Sequence, residues 1–241
     1  MNKFYFLSIL LSLGTALHSQ EISKHQASIN PINLTFGTAH LSYEYAFNRN
    51  MSAAVSVGQK FSSGAMTISG FDTPTLQSED FSFKGIKIIP EYRWYLQKTN
   101  KNHTGFFVGA YYKFQSYESP LKGVYTVPQT GEKANIDLDA RVSTHALGLQ
   151  IGYKLAIYKN WYADFLIAGL GYSINTLTLT RNQVEIPEFY QDLVQNIRDK
   201  YKEIDQFISN SEFKRSSDGS KASATFRLPA FRYGVSVGYR F

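Results

Sequence analysis

Charged residues of both signs recur at alternate positions along several stretches of the sequence, in segments whose intervening residues are apolar. Because alternate residues of a β-strand point to the same face, this spacing predicts strands with one charged and one apolar face. Both signs of charge in a narrow interior favour a salt-bridged, hydrogen-bonded plug. Bases exceed acids, so a narrow pore that prefers anions is the alternative. The predicted members are Glu44, Lys60, Lys87, Glu91, Arg93, Lys113, Lys154, Asp164, Arg232 and Arg240.

Two groups of residues resemble parts of a hydrolytic site. His40, Ser42 and Glu44 share one predicted strand face, but neighbours on that face are about 7 Å apart, too far for a hydrogen-bonded triad. Ser143 and His145 share another face, with no acid placed to orient His145. No group of histidines and carboxylates has metal-ligand spacing. We therefore predict no enzyme, no metal site and no cofactor.

Composition narrows the class of protein. The sequence has no cysteine, which excludes a disulfide framework, a thiolate metal site and a cysteine nucleophile. Its net charge of +6 is modest and spread along the chain, so nucleic-acid binding is not predicted. The 17 Tyr, 18 Phe and 17 Gly are typical of a protein with many strands, aromatic girdles and close backbone contacts.

Period-two alternation predicts the strands that position the charged groups. The last strand is the clearest, because apolar residues occupy alternate positions from Phe231 to the final Phe241. In the strand before it, a bulge near Gly169 and Gly171 is one interpretation that switches the faces, so its inward residues beyond Asp164 stay open. The predicted strands span residues 26–33, 39–47, 51–61, 86–96, 106–114, 147–155, 161–180 and 231–241.

Short and long connections alternate between these strands. Outer-membrane barrels have an even strand count with both termini at the periplasmic end, where the turns are short. This rule requires the first strand at residues 26–33, with a tight turn near Phe36 and Gly37, although Pro31 interrupts its pattern. The short turns lie near Asn48, Thr99 and Lys159, and the long loops span residues 62–80, 118–141 and 181–224.

Two orientations of the strands compete, with the apolar faces outward against lipid or inward around a ligand. Eight strands enclose a space only just wide enough for side chains, which the apolar set would overfill. Outward, the apolar faces form a lipid-facing band with an aromatic girdle near the short turns. We therefore predict an all-β fold, an eight-stranded antiparallel transmembrane β-barrel with short periplasmic turns and long external loops. The predicted girdle is Trp94, Tyr95, Tyr158, Trp161 and Tyr162.

The last long loop departs from the strand pattern. In residues 187–209 apolar residues recur at spacings of three and four, with charged residues between them, which predicts an amphipathic helix. Its charges forbid a membrane span, so we expect it outside, across the barrel mouth or on a partner. The apolar face of this candidate interaction helix is Phe189, Leu193, Ile197, Tyr201, Ile204 and Ile208.

The amino-terminal residues predict export. Residues 1–19 combine Lys3, an apolar run and the small residue Ser19, which is the pattern of a signal peptide. No other stretch approaches the roughly 18 apolar residues that a helical span requires. The barrel is then expected to occupy residues 20–241.

The signal peptide, the alternating strands and the terminal Tyr239, Arg240 and Phe241 resemble the small eight-stranded outer-membrane proteins of the OmpA and OmpX type. The resemblance covers the mature chain as architecture. It implies a bacterial outer-membrane location among lipids and lipopolysaccharide. It also implies that the barrel-assembly machinery reads Tyr239 and Phe241 as an insertion signal.

From these patterns we predict a structural or binding protein whose external loops meet an extracellular or envelope protein partner. A narrow channel for small solutes is the first alternative. The second is a lipid A-modifying surface hydrolase, because lipid A deacylases among small barrels keep an external serine and histidine, as Ser143 and His145 would be.

Overall fold

A computed structural model describes seven segments of the chain. The predicted signal peptide at residues 1–19 and the predicted interaction helix at residues 187–209 lie outside them. Within the described part, no helix is both long and apolar enough to cross a membrane. The described segments are residues 24–61, 72–73, 75–80, 82–97, 103–181, 214–215 and 221–241.

Antiparallel strands make up nearly all of the described chain, and one short helix follows the first strand. Their bounds, in chain order, are β1 (His25–Ile29), α1 (Pro31–Thr35), β2 (Thr38–Ala46), β3 (Met51–Lys60), β4 (Leu76–Ser78), β5 (Lys84–Tyr95), β6 (Gly105–Thr126), β7 (Lys133–Tyr158), β8 (Trp161–Arg181), β9 (Lys214–Arg215) and β10 (Lys221–Arg240).

Eight of these strands form a closed ring in the order β1, β2, β3, β5, β6, β7, β8 and β10. The ring closes because β10 pairs with both β8 and β1, placing Ser28 opposite Gly238. The terminal strand therefore lies between the strand that precedes it in the sequence and the first strand. A closed ring leaves no unpaired edge among its members, so backbone N–H and C=O groups bond within the sheet.

The first strand, which strand counting alone required, is present but ends four residues earlier than predicted. Asn30 instead caps α1, accepting a hydrogen bond from the Asn33 backbone N–H at 3.0 Å. Pro31 begins the helix, where its missing N–H costs nothing. The chain then turns through Phe36 and Gly37, and the positive φ of Gly37, 66°, suits glycine. The tight turn was correctly located, but it follows a helical turn.

The short connections lie together at one end of the ring, which we call the turn end. They join β2 to β3, β5 to β6 and β7 to β8, and the amino end of β1 and the carboxyl end of β10 are also there. His103 links two of these connections by donating from Nε2 to the Asn48 carbonyl at 2.6 Å. Burial lowers the pKa of His103, so the folded protein favours the neutral ring. The opposite end is the loop end.

The lower part of the ring, toward the turn end, has a polar interior and an apolar exterior. Along β7, Leu147 and Leu149 point outward and are 67% and 71% exposed, whereas Lys154 points inward and is 0% exposed. The same alternation follows the other strands, because successive side chains of a strand point to opposite faces. This arrangement reverses the usual distribution of a water-soluble protein.

A bulge that switches the faces, which the sequence left open for β8, is present, but it precedes the two glycines. Ile151 pairs with Ala168 and the next residue, Gly152, pairs with Leu166, which leaves Ile167 as the extra residue. Before the bulge, Asp164 faces inward, and after it Ser173 is also buried. One inserted residue moves every later side chain to the opposite face.

The predicted long loop at residues 118–141 is wrong, because β6 and β7 continue through it to a turn at residues 127–132. Here the polarity of the two faces is exchanged. Outward positions carry groups such as Lys122 and Asp137, while the inward side chains form a buried apolar cluster. Apolar and polar residues still alternate along the upper parts of β6 and β7, but here the apolar residues point inward. The outward apolar pattern of the lower strands therefore ends below this region. The cluster is Leu76, Leu121, Tyr125, Ile136, Leu138, Ala140, Leu179 and Ala222.

This upper extension consists of the long ends of β6, β7, β8 and β10, with β4 and β9 paired at its two edges. Part of the predicted long loop at residues 62–80 is thus strand β4.

The aromatic girdle needs a second correction. Tyr95 and Tyr162 are buried in the ring interior, and only Trp94, Tyr158 and Trp161 are exposed outside. Tyr95 and Tyr162 were assigned to the girdle because they are aromatic. They lie on the inward faces of their strands, so they belong to the interior.

We expect Leu121→Ala to reduce the free energy of unfolding by about 2 to 5 kcal/mol, because it leaves a cavity in the apolar cluster. The measurement is urea unfolding of the purified protein in detergent micelles, followed by tyrosine and tryptophan fluorescence. Lys122→Ala, at the neighbouring exposed position, is the matched control and should change the value by under about 0.5 kcal/mol. Equal losses in both variants would contradict a packed upper core.

Candidate functional site

Six of the ten charged groups predicted to share an interior form one connected network across the lower ring. The six come from β2, β5, β7, β8 and β10, so strands on all sides of the ring contribute to it. Each lies on the inward face of its strand. The network consists of Glu44, Glu91, Arg93, Lys154, Asp164 and Arg232.

Arg93 is the centre of this network, because its guanidinium contacts three carboxylates. One terminal nitrogen donates to Glu44 Oε2 at 3.1 Å and to Asp164 Oδ2 at 2.5 Å. The Nε and the other terminal nitrogen both donate to Glu91 Oε2, at 2.9 and 2.7 Å. This fork geometry uses the planar donor set that lysine lacks.

Glu44 forms the half of the network nearer the turn end. Its Oε2 accepts from Lys154 Nζ at 2.7 Å. Its Oε1 accepts from the hydroxyls of Ser52 and Tyr95, at 2.6 and 2.8 Å. Lys154 also donates to Gln26 Oε1 at 2.9 Å, so both charged groups have several partners in the absence of bulk water.

Glu91 forms the half nearer the loop end. Its Oε1 accepts from Arg232 at 2.7 Å, and its Oε2 accepts from Gln150 Nε2 at 2.9 Å in addition to Arg93. Arg232 donates in turn to Gln150 Oε1 at 3.0 Å. The three side chains thus form a closed cycle of hydrogen bonds that tie β5, β7 and β10 together.

Aromatic rings cover the cations of the network. Arg93 lies over Phe107 and Arg232 over Tyr111, each 4.7 Å from the ring centre, and Lys154 lies 4.7 Å from the centre of Tyr162. Cation–π contacts of this kind replace part of the lost hydration. With three cations and three carboxylates, the network has no formal net charge. The arrangement can fill and cross-link the interior.

The glycines of β7 and β8 make room for this packing. Added side-chain carbons at Gly148 and Gly171 would lie 2.7 and 2.8 Å from atoms of Tyr111, and one at Gly169 would collide with Arg232. Gly169 and Gly171 therefore accommodate the Tyr111 and Arg232 stack, and the bulge lies elsewhere. Their role was misassigned because close side-chain approach is invisible in a single sequence.

The other four predicted groups lie outside the network. Lys60 donates to the Phe36 carbonyl at 2.8 Å near the loop end, and Arg240 stacks over Tyr162 near the turn end. The remaining two, Lys87 and Lys113, line a cavity above the network. The ten groups thus separate into a neutral centre and cations on both sides of it.

The residues that resemble a hydrolytic site are not brought together. Ser42 pairs with the hydroxyl of Ser56 at 2.6 Å, and Glu44 belongs to the cation network. On the outer face, His145 shares a hydrogen bond of 2.6 Å with the Tyr112 hydroxyl. In the segments that the structure describes, no group of three His, Asp or Glu residues could hold a metal ion.

Four uncharged members of the network were missed from the sequence. They are Gln26, Ser52, Tyr95 and Gln150. Ser52 and Tyr95 could have been found from the sequence, because the alternation of faces along the strands places them on the same inward side as Glu44 and Arg93. The partners of each, however, come from distant strands and depend on the register of the closed ring.

The proposed insertion signal lies on the outside of the turn end. The Tyr239 ring packs against Trp161 with centroids 5.4 Å apart, and the Phe241 N–H donates to the His25 carbonyl at 2.9 Å. Recognition of these two residues by the assembly machinery stays a prediction. The six residues of the candidate interaction helix lie outside the described segments.

Arg93→Ala should reduce the free energy of unfolding by about 3 to 5 kcal/mol, because it leaves buried carboxylates without their shared cation. The measurement is urea unfolding in detergent micelles. Arg141→Ala is the matched control, since its partner Glu118 and its own side chain are both 58% exposed, and it should cost under about 1 kcal/mol. A loss for Arg93→Ala no larger than the control would contradict a structural network.

The comparisons with known proteins place the chain in a family. A search of curated proteins found no match. Among solved structures, the crystal structure of Acinetobacter baumannii CarO is similar over 93% of this chain and 100% of that chain, with 11% identity and a TM-score of 0.39, too low to support any inference. A family model described as "Protein of unknown function (DUF3575)" matches residues 5–193. The chain therefore belongs to the DUF3575 family.

Proposed function

We propose that this protein is an outer-membrane β-barrel with a blocked interior that acts through its loop end as a structural or partner-binding protein. The observation that carries the proposal is the inverted polarity of the lower ring. Charged groups such as Arg93 and Lys154 are buried inside, and large apolar groups such as Leu149 and Tyr233 are exposed outside. Apolar surroundings make this arrangement stable, because lipid solvates the exterior while ion pairing satisfies the interior.

The height of the apolar exterior supports a bilayer. On β7 outward apolar residues run from Leu147 to Ile157, and on β10 they run from Phe231 to Phe241. Both stretches are close to the roughly 9 to 11 residues that a tilted strand needs to cross a hydrocarbon core. The polar outward residues begin just above, with His145 on β7 and Arg227 on β10. The upper extension would then stand in water on the outer side.

The direction of insertion follows from the connections. Outer-membrane barrels keep short turns and both termini in the periplasm. The turn end of this ring has those features, so the loop end would face outward. There the upper extension presents a polar exterior over an apolar core. That is the part of the molecule from which an extracellular or envelope protein partner would be contacted.

The filled interior favours a plug over a channel. The network spans the ring from β2 to β10, and its members have direct side-chain partners on both halves. An ion would have to separate the contacts of Arg93 with Glu44, Glu91 and Asp164 in order to pass. Breaking buried ion pairs of this kind costs several kcal/mol.

Leu149→Arg tests the membrane proposal. A cation at this outward position should reduce the stability of the barrel in lipid by about 1 to 3 kcal/mol, because it would lie inside the apolar band, between the midplane and the loop end. The measurement is urea-dependent folding into phospholipid vesicles. Thr130→Arg, in the exposed turn at residues 127–132, is the control and should have little effect. If Leu149→Arg were equally harmless, its exterior would not contact lipid.

Planar-bilayer recordings test the plug. The natural protein should insert without a steady single-channel current, because the network fills the lower ring. Vesicle floatation of the same sample confirms that insertion has occurred. A steady current whose ion preference changes in Arg232→Glu would contradict the plug and favour the narrow channel.

A further inference from the structure

A cavity of about 150 Å³ lies in the ring interior between the ion-pair network and the loop end. Arg93, Arg232, Glu91 and Asp164 belong to its lining, so the network forms its floor. Asn30 and Asn33, at the start of α1, lie on the other side. At about 30 Å³ per water molecule in the liquid, this space holds a small ion together with a few waters.

The cavity contains an excess of positive charge. Four cations and two carboxylates line it, and the additional cations are Lys87 and Lys113. Among the residues that the structure describes, neither lysine forms an ion pair. Lys87 Nζ has a long contact of 3.4 Å with the neutral Asn33 Oδ1, and Lys113 has no recorded hydrogen bond. Two ammonium groups that line one cavity repel each other, and an anion between them would offset that repulsion.

The carboxylates in the lining pair with the arginines of the network. Glu91 accepts from Arg93, Arg232 and Gln150, and Asp164 Oδ2 accepts from Arg93, whereas Asp164 Oδ1 has no hydrogen-bond partner among the described residues. They neutralise the two arginines and are not shared with the lysines. The charge at the upper part of the cavity is therefore uncompensated by protein groups in the described segments.

One wall of the cavity, beside Gly58, has room for the aliphatic part of Lys87 and for the His40 ring. A side-chain carbon added at Gly58 would lie 2.8 Å from Lys87 Cγ and 3.1 Å from His40 Cδ2, so the absence of a side chain there makes room for both groups. The two ring nitrogens of His40 are buried and have no hydrogen-bond partner among the described residues. A buried donor without an acceptor is unfavourable, and a bound acceptor would remove that cost.

We propose that this cavity is a binding site for one small oxyanion of the phosphate or sulfate class. Lys87 and Lys113 supply the opposite charge, and a ring N–H of His40 donates to one oxygen. The network below blocks further passage, so the ion occupies a blind pocket. The site is a property of the ring interior and goes beyond the proposed function, since it does not depend on which partner binds at the loop end.

Isothermal titration of inorganic phosphate into the full-length protein in detergent micelles tests this site. We expect a saturable isotherm, and we expect Lys113→Gln to weaken binding by about tenfold, because one charge-assisted hydrogen bond is lost. Lys133→Gln changes the net charge equally at an exposed position far from the cavity, and its affinity should equal that of the natural protein. Methyl phosphate, titrated in parallel, distinguishes a site for the free ion from one that also accepts phosphate esters.

Each outcome bears on the proposal. Saturable phosphate binding whose affinity is about tenfold weaker in Lys113→Gln and unchanged in Lys133→Gln supports it. Absence of saturable binding to the natural protein overturns it, and so does equal weakening in both variants, which would indicate general charge attraction. Heat-modifiable migration in gel electrophoresis verifies that each variant is folded. Failure of Leu149→Arg to affect folding in vesicles would remove the membrane proposal and leave this result intact.

Discussion

The contact of Arg93 with three carboxylates is the interaction on which the rest of the lower ring depends. Glu44, Glu91 and Asp164 come from three strands, and burying them together is unfavourable without a shared cation. Arg93 provides donors in several directions, and Lys154 and Arg232 complete the neutralisation on either side. The network therefore connects strands that face each other across the interior, in addition to filling it.

This constraint also explains the composition of the inner wall. Large cationic side chains need flat surfaces beside them, and Phe107, Tyr111 and Tyr162 provide aromatic faces. Glycines then remove the side chains that would occupy the same space. Above this layer the interior changes to a cationic cavity and then to an apolar cluster, so three chemically different layers follow one another along the axis of one sheet.

Much of the lower ring could be predicted, because strand alternation reports directly on inward and outward faces. The inward positions of Glu91 and Arg93 followed from parity, and the first strand followed from strand counting. The upper extension could not be predicted in the same way. There the apolar residues, such as Leu121 and Leu138, move to the inward face, so the alternation of the lower strands is reversed in polarity. Tyr95 was misplaced because residue type was given more weight than parity.

The sequence by itself determined the strand period and the inward charged positions of the lower strands, since both depend on neighbours along the chain. Only the tertiary structure decided the partners. Arg93 reaches Asp164 from 71 residues away, and Lys154 reaches Gln26 from 128 residues away, because ring closure and the β8 bulge set which strands meet and in what register. Long-range register depends on the simultaneous pairing of all eight strands, which no local pattern specifies.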